Sequence, residues 1–384
     1  MRGIKYSDYK NVFLPVALLT ATIIGAGIFS LPYIFARAGW KMGLIYLAAA
    51  PVIFYYLHTM YADVILRSGG KFKFVGYARH YLGELAFWLS ILVTVIGSVL
   101  TLTAYLVLAA SFAKIIFSAV PYFYHENFSV FWILATAAIF VSVKRMAWFE
   151  FYVTVGMVIL IFLIFGFGLA AGPGKFLTLP EFNPIYLFLP FGPVLFSFSG
   201  RTAIPSLINY YRENKLSFLN FKKIVLAGTA IPTVVYLMFT VGIIGISVIV
   251  TKDSVASIAA LPWVFGMIVA AFGLLSLWSS YIVIGLSIYE ILRDDLGFNR
   301  IWADLIVVAA PVGLVFIGFT DFLRIITLAG GVFLALEGII VVAMWRRVEV
   351  LVREKFLFPS GISPAVVYGM LSVFFLGALY AAVY

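Results

Sequence analysis

The sequence has no cysteine, which excludes disulfides, thiol nucleophiles and cysteine-ligated metals. Its three histidines, His58, His80 and His125, stand too far apart to form a metal-spacing motif. Charge is scarce as well. Only 11% of the 384 residues are charged, against about 25% in a soluble domain. So few charges cannot cover a water-facing surface, which excludes a soluble enzyme, a nucleic-acid module and a disordered chain. No G-x-x-x-x-G-K-[ST] signature for ATP is present.

What is present is apolar. Hydrophobic residues make up 64% of the chain, and the mean hydropathy is +1.12. A membrane helix takes about 20 residues, so the chain has room for about 12 spans and their connections. A β-barrel would need alternating polarity, and runs such as Phe131–Phe140 and Gly338–Trp345 do not alternate. The stretch from Asn11 to Phe35 exceeds the apolar core of a signal peptide and is read as a retained first span.

Eleven spans are expected, over residues 11–36, 41–66, 84–117, 128–143, 148–171, 184–211, 220–250, 256–292, 301–319, 322–345 and 363–384. The fold class is therefore an all-α polytopic membrane protein. With the N-terminus in the cytoplasm, the loops on that side hold 19 of the 26 lysines and arginines, and the other side holds six. The first group includes Arg2, Lys5, Lys10, Lys144, Arg145, Arg353 and Lys355. This bias sets the N-terminus inside and the C-terminus outside a cell membrane, and it accounts for the net charge of +10 without nucleic acid.

Two spans carry a break signal near their middle. The first contains Gly25-Ala26-Gly27-Ile28-Phe29-Ser30-Leu31-Pro32, and the sixth contains Ser197-Phe198-Ser199-Gly200-Arg201-Thr202-Ala203-Ile204-Pro205. Each has a proline five positions after a glycine, and the two patches lie five spans apart. An odd number of spans per unit reverses its orientation, as in the inverted repeats of secondary transporters. Glycine lets the backbone leave the helix, and proline fits the first turn of a new one. A restarted half-helix then offers free N–H groups to an anion, while unwound carbonyls can hold a cation. Ordinary small-residue helix packing is the alternative reading of either patch alone.

The stretch Gly25-Ala26-Gly27-Ile28-Phe29-Ser30-Leu31-Pro32-Tyr33, continuing through Phe35-Ala36-Arg37-Ala38-Gly39-Trp40, resembles the first-helix signature of the amino acid/auxin permease family. It is also similar to that of the related bacterial hydroxy/aromatic amino acid permeases. Phe196 to Leu207 in the sixth span is similar to the matching motif there. So are Ser279-Ser280-Tyr281 through Gly285, Tyr289-Glu290 and Leu292-Arg293-Asp294 in the eighth. The resemblance implies a LeuT-like fold, with residues 1–171 and 184–345 as inverted five-helix repeats and 363–384 as a peripheral helix. It implies an amino acid held between spans 1, 3, 6 and 8, and transport driven by Na⁺ or H⁺. Substrate contacts would fall on Thr22, Gly25, Ala26, Gly27, Ile28, Phe196, Ser197, Phe198, Ser199, Gly200 and Arg201. A Na⁺ ion would sit between the carbonyls of Ala21 and Ile24 and the hydroxyls of Ser279 and Ser280. The sequence departs from the family at Arg201, where many relatives have histidine, and at Glu290, where aspartate is commoner.

Ionisable groups at membrane depth are costly and are functional candidates. Arg201 is read as a substrate or gating contact, or as one half of a pair with a carboxylate. Glu337 is the proton-carrier candidate, or else a fixed partner for a basic group. Asp63 and Arg67, four apart, read as a solvated or interfacial salt bridge. Glu290 and Asp294 read as a solvated helix end or an inner gate. Tyr6, Tyr9, Trp40, Tyr122, Tyr124 and Trp345 fit an interfacial aromatic belt, and Phe196 and Phe198 a lid over substrate. The expectation is a secondary active transporter of a neutral α-amino acid in the lipid bilayer, coupled to Na⁺ or H⁺, without cofactor. Spans 1, 2, 6 and 7 would rock against 3, 4, 8 and 9. A non-transporting amino-acid sensor of the same fold is the alternative.

Overall fold

In a bilayer, backbone polar groups have no water to bond, so long apolar runs close into helices. The computed structural model describes residues 9–117, 128–140, 146–172, 174–352, 354 and 356–383, and among them it is all helical apart from turns and connections. Arg2, Lys5, Tyr6, Tyr122, Tyr124, His125, Lys144, Arg145, Arg353 and Lys355 lie outside the described residues.

The described chain leads into α1 (Leu14–Ile23), which ends at the first break, and α2 (Leu31–Ala38), which carries the chain to the far face. There follow α3 (Trp40–Arg67), a short surface helix α4 (Phe74–Leu82), α5 (Glu84–Ile116), α6 (Phe128–Ile139) and α7 (Met146–Ala171). Next are α8 (Phe191–Ser197) and α9 (Ala203–Glu213), on either side of the second break. Then come α10 (Phe221–Ile246), α11 (Val255–Ala259), α12 (Trp263–Glu290) and α13 (Arg300–Phe316). The tenth span joins α14 (Phe322–Leu328) to α15 (Ala335–Leu351) through a π-helical stretch, and α16 (Pro364–Val383) closes the chain. Among the described residues seven helices are long and apolar enough to cross a membrane, and an eighth crossing is a pair bent by 50° at the first break.

Some expected spans are shorter. The sixth starts at Phe191 rather than 184, because Pro190 is its N-cap. The seventh stops at Ile246, where Ser247 turns extended, and the eighth starts only after Pro262. Glycines set the closest packing. A Cβ on Gly245 would lie 2.3 Å from the Gly168 carbonyl oxygen, so α10 and α7 meet backbone to backbone.

Asp63 and Arg67 are not solvated. Both side chains are fully buried, with N···O at 2.9 Å. Asp63 also accepts from Trp345 Nε1 and from the Leu357 amide, each at 3.0 Å. Trp345 is likewise no belt residue: it is completely buried. The cluster ties α3 to the end of the tenth span and to the connection before α16. Breaking a buried pair from one side costs about 3–5 kcal/mol, while an apolar replacement of both partners is often neutral. Thermal unfolding of Asp63→Leu and of Arg67→Met should each show a large loss, and the double variant should recover only part of it, because Trp345 Nε1 and the Leu357 amide lose their acceptor. A double variant as unstable as the worse single would contradict this.

Candidate functional site

The first break is brief. Ile24 has ψ 99° and turns its carbonyl out of the helix. Gly25 is extended, at φ −140° and ψ −155°. Ala26–Ser30 then forms a 3₁₀ turn that leads into α2, with Pro32 in its first turn as the spacing predicts. The second break is longer. Helix α8 ends at Ser197, residues 198–202 are turn, and α9 restarts at Ala203 with Pro205 in its first turn.

The two breaks interlock. A Cβ on Gly27 would lie 2.6 Å from Ser197 Cα, and one on Gly200 would lie 2.6 Å from Ile23 Cγ1. A Cβ on Gly25 would meet nothing within 4 Å. Gly27 and Gly200 therefore permit the crossing, whereas Gly25 opens onto free space. Each half-helix also leaves its last carbonyls without intrahelical partners. The carbonyl oxygens of Ile23 and Ser197 both lie against the Tyr236 hydroxyl of α10, at 2.8 and 2.6 Å.

That free space is a central cavity of about 120 Å³. Of the candidate residues, Thr22, Gly25, Ala26, Gly27, Phe196, Ser199, Arg201, Ser280 and Glu337 line it. Ile28, Ser197, Phe198 and Gly200 do not, nor do Ala21, Ile24 and Ser279. Phe198 is no lid. It is fully buried and packs on Phe54 and Tyr236 at ring distances of 5.9 and 5.2 Å. Ser279 is buried and donates to the Ser276 carbonyl of its own helix at 3.1 Å, while Ser280 faces the cavity.

The resemblance placed the third span, α5, at the site but named none of its residues; Thr94, Gly97, Ser98, Thr101 and Tyr105 form its wall of the cavity. Their spacing of 3, 4, 7 and 11 from Thr94 is one face of a helix. A stripe of small and hydroxyl residues within an otherwise large apolar span was the available signal. Phe333 and Leu334 of the π-helical stretch and Val283 and Ile284 of α12 supply the apolar wall.

Arg201 and Glu337 meet here, with Nε···Oε1 at 2.6 Å and side chains only 13% and 9% exposed. The guanidinium also lies 4.1 Å from the Phe74 ring centroid and 5.8 Å from that of Tyr61. The acidic partner of Arg201 and the basic partner of Glu337 are thus each other. A neutralised pair with an aromatic shelf can persist at this depth, where a lone charge could not.

Below Arg201 a second cavity of about 450 Å³ shares Thr94, Ser98, Arg201, Thr202, Val283 and Ile284 with the first. It runs to Lys73 and Glu290. Lys73 bridges Glu290 at 2.8 Å and Asp294 at 2.9 Å, which supplies the basic partner of the α12 end. Partial burial pulls the Lys73 ammonium down, but these hydrogen bonds and charges outweigh it and hold it above the usual lysine range. On the opposite side Phe29 packs edge-on against Phe112 and Phe239, with centroids at 5.0 and 5.4 Å. All three rings are buried, and Ser254 Oγ donates to the Phe29 carbonyl at 2.6 Å. The second cavity thus leads from Arg201 toward the α4 face, where the Lys73 ion pairs stand, and buried rings pack on the other side.

The sequence matches the model of the tryptophan/tyrosine permease family over residues 9–367. This is a family of aromatic amino acid permeases, and the narrower resemblance to amino acid/auxin permeases is not what the match identifies. Solved structures similar to the chain include MhsT in complex with L-phenylalanine, at 14% identity and TM-score 0.67, covering 100% of this chain and 99% of that one. The inward-facing conformation of Mhp1 is also 14% identical, at TM-score 0.60, with 97% and 88% covered. These likenesses establish the LeuT-like fold. No curated protein matches the sequence.

The interlock separates the roles of two glycines. Gly27→Ala should unfold at a lower temperature than wild type, since overpacking of this kind costs about 1–3 kcal/mol. Gly25→Ala should melt like wild type. Equal melting of the two variants would contradict the geometry.

Proposed function

Because the chain belongs to the tryptophan/tyrosine permease family, we propose that it is a secondary active transporter of aromatic α-amino acids working by alternating access. The carrying observation is the cavity where both broken helices meet, lined by Gly25, Ala26 and Gly27 on one side and Phe196, Ser199 and Arg201 on the other. Backbone amides at the start of the restarted first span suit a carboxylate. Hydroxyls of Thr22, Thr94, Ser199 and Ser280 and the carbonyls of the breaks suit an ammonium. Val283, Ile284, Phe333 and Leu334 suit an aromatic side chain. A zwitterion so held needs no net charge from the site, which fits the mutual neutralisation of Arg201 and Glu337.

In this reading residues 1–171 and 184–345 are the inverted repeats, 363–384 is peripheral, and the N-terminus is cytoplasmic in a cell membrane. The Arg201 cavity then faces the cytoplasm, and Lys73, Glu290 and Asp294 stand at its mouth. The coupling ion is Na⁺, taken between the carbonyls of Ala21 and Ile24 and the hydroxyls of Ser279 and Ser280. Hard oxygen ligands of this kind suit that ion. For Na⁺ to use Ser279, its hydroxyl must leave the Ser276 carbonyl. A second reading, favoured by the Arg201–Glu337 contact, is H⁺ coupling. Protonation of Glu337 would then free Arg201 for the substrate carboxylate.

Uptake of labelled L-tryptophan, L-tyrosine and L-phenylalanine into proteoliposomes tests the reading. Saturable uptake with mutual competition is expected, and no uptake of any of them would contradict it. Binding in Na⁺ against choline at fixed pH separates the ions. Sodium dependence that Ser280→Ala weakens is expected, and equal affinity in both salts would exclude the sodium site.

Arg201→Ala leaves the Glu337 charge unpaired beside the bound carboxylate. Removing one partner of such a pair costs about 3–5 kcal/mol when it is fully buried, and less in this partly open cavity. Affinity should fall at least about tenfold. The double variant with Glu337→Gln should recover part of that loss. Wild-type affinity in Arg201→Ala would place the pair outside the binding process.

A further inference from the structure

Tyr236 sits within α10, completely buried, with its ring edge-on to Phe198. Its hydroxyl contacts two backbone carbonyls that the broken helices leave over, Ile23 at 2.8 Å and Ser197 at 2.6 Å. A phenol carries one proton. Both oxygens lie at hydrogen-bond distance, so this trio is one proton short. The proton fully serves one carbonyl at a time, and the other is held against a lone pair in an apolar place, where an unserved carbonyl is costly.

The two acceptors belong to opposite ends of the molecule. Ile23 ends α1, which starts at the α4 face, and Ser197 ends α8, which starts at the other face. The same two residues form the interlock, Gly200 against Ile23 and Gly27 against Ser197. A swing of α1 that opened the α4 face would draw Ile23 away from the hydroxyl, and a swing of α8 that opened the other face would draw Ser197 away.

We propose that Tyr236 is the positioning residue that makes the two openings exclusive. Its single proton goes to Ser197 when α1 swings and to Ile23 when α8 swings. If both half-helices swing together, the hydroxyl loses both acceptors and both carbonyls are orphaned, so the doubly open state is suppressed. This rests on the transporter reading only in assuming that both faces open. It does not depend on which amino acid is carried.

The absence of native cysteine makes the test direct. Spin labels on introduced cysteines at Val12 and Leu85 report the α4 face, and labels at Ile185 and Ile317 report the other; all four positions are exposed. In reconstituted wild type the open fractions at the two faces should sum to no more than one. In Tyr236→Phe, which keeps the ring and loses the proton, the sum should exceed one. The accumulation ratio of substrate should fall by about tenfold, the scale set by one buried hydrogen bond, while downhill flux stays. Open fractions in Tyr236→Phe that still sum to one would overturn the proposal. So would accumulation and downhill flux that fall in the same proportion. If that variant does not fold, 4-aminophenylalanine at position 236 keeps the ring and carries a second proton, so both carbonyls can be served at once. Both open fractions should then fall severalfold, and open fractions unchanged from wild type would overturn the proposal. Exclusive opening without uptake of any aromatic amino acid would count against the substrate reading and leave this one standing.

Discussion

Everything at the centre of this protein follows from two helices that stop in the middle of an apolar medium. A continuous helix satisfies its own backbone, and a broken one leaves amides and carbonyls that lipid cannot serve. The structure answers by placing the two breaks against each other. Gly27 and Gly200 allow the backbones to touch, Tyr236 reaches the loose carbonyls of Ile23 and Ser197, and the remaining polar groups face one cavity. Groups left facing that cavity remain available to water or to a ligand.

Charge obeys the same economy. Among the described residues one ion pair is fully buried and a second nearly so, and they differ in role. Asp63 and Arg67 are closed off, and Trp345 and Leu357 also donate to the carboxylate. That pair fastens the fold. Arg201 and Glu337 lie on the cavity wall, slightly exposed, with the Phe74 ring face and the Tyr61 side chain as further support. A pair that is easy to reach and not fully bonded can change partner when a zwitterion, a proton or a half-helix moves. The ion pairs at Lys73 and at Lys41–Glu181 lie in water, and little stability rests on them.

The breaks were legible because glycine and proline act locally. Gly25 and Pro32, and Gly200 and Pro205, mark the ends of the half-helices within a few residues. Arg201 and Glu337 were each legible as costly charges, but their pairing was not, because 136 residues separate them. Asp63 and Arg67 showed their spacing but not their burial, which depends on Trp345 and Leu357 arriving from almost 300 residues away. Phe196 and Phe198 looked equivalent because side-chain direction follows no period across a break, and only Phe196 reaches the cavity. The α5 stripe went unread because it has no charge and no proline. Thr94, Gly97, Ser98 and Thr101 announce themselves only once a ligand-sized space is known to lie beside them.

The central claim is that the carried molecule is held by the joint of the two breaks. A structure determined with a bound aromatic amino acid tests it most directly. The expected result is a carboxylate within hydrogen-bonding distance of the amides of Gly25, Ala26 or Gly27, with the ring between Phe333 and Ile284. A ligand seated only among Lys73, Glu290 and Ser287, with the central cavity closed or the first span continuous through Gly25, would contradict it.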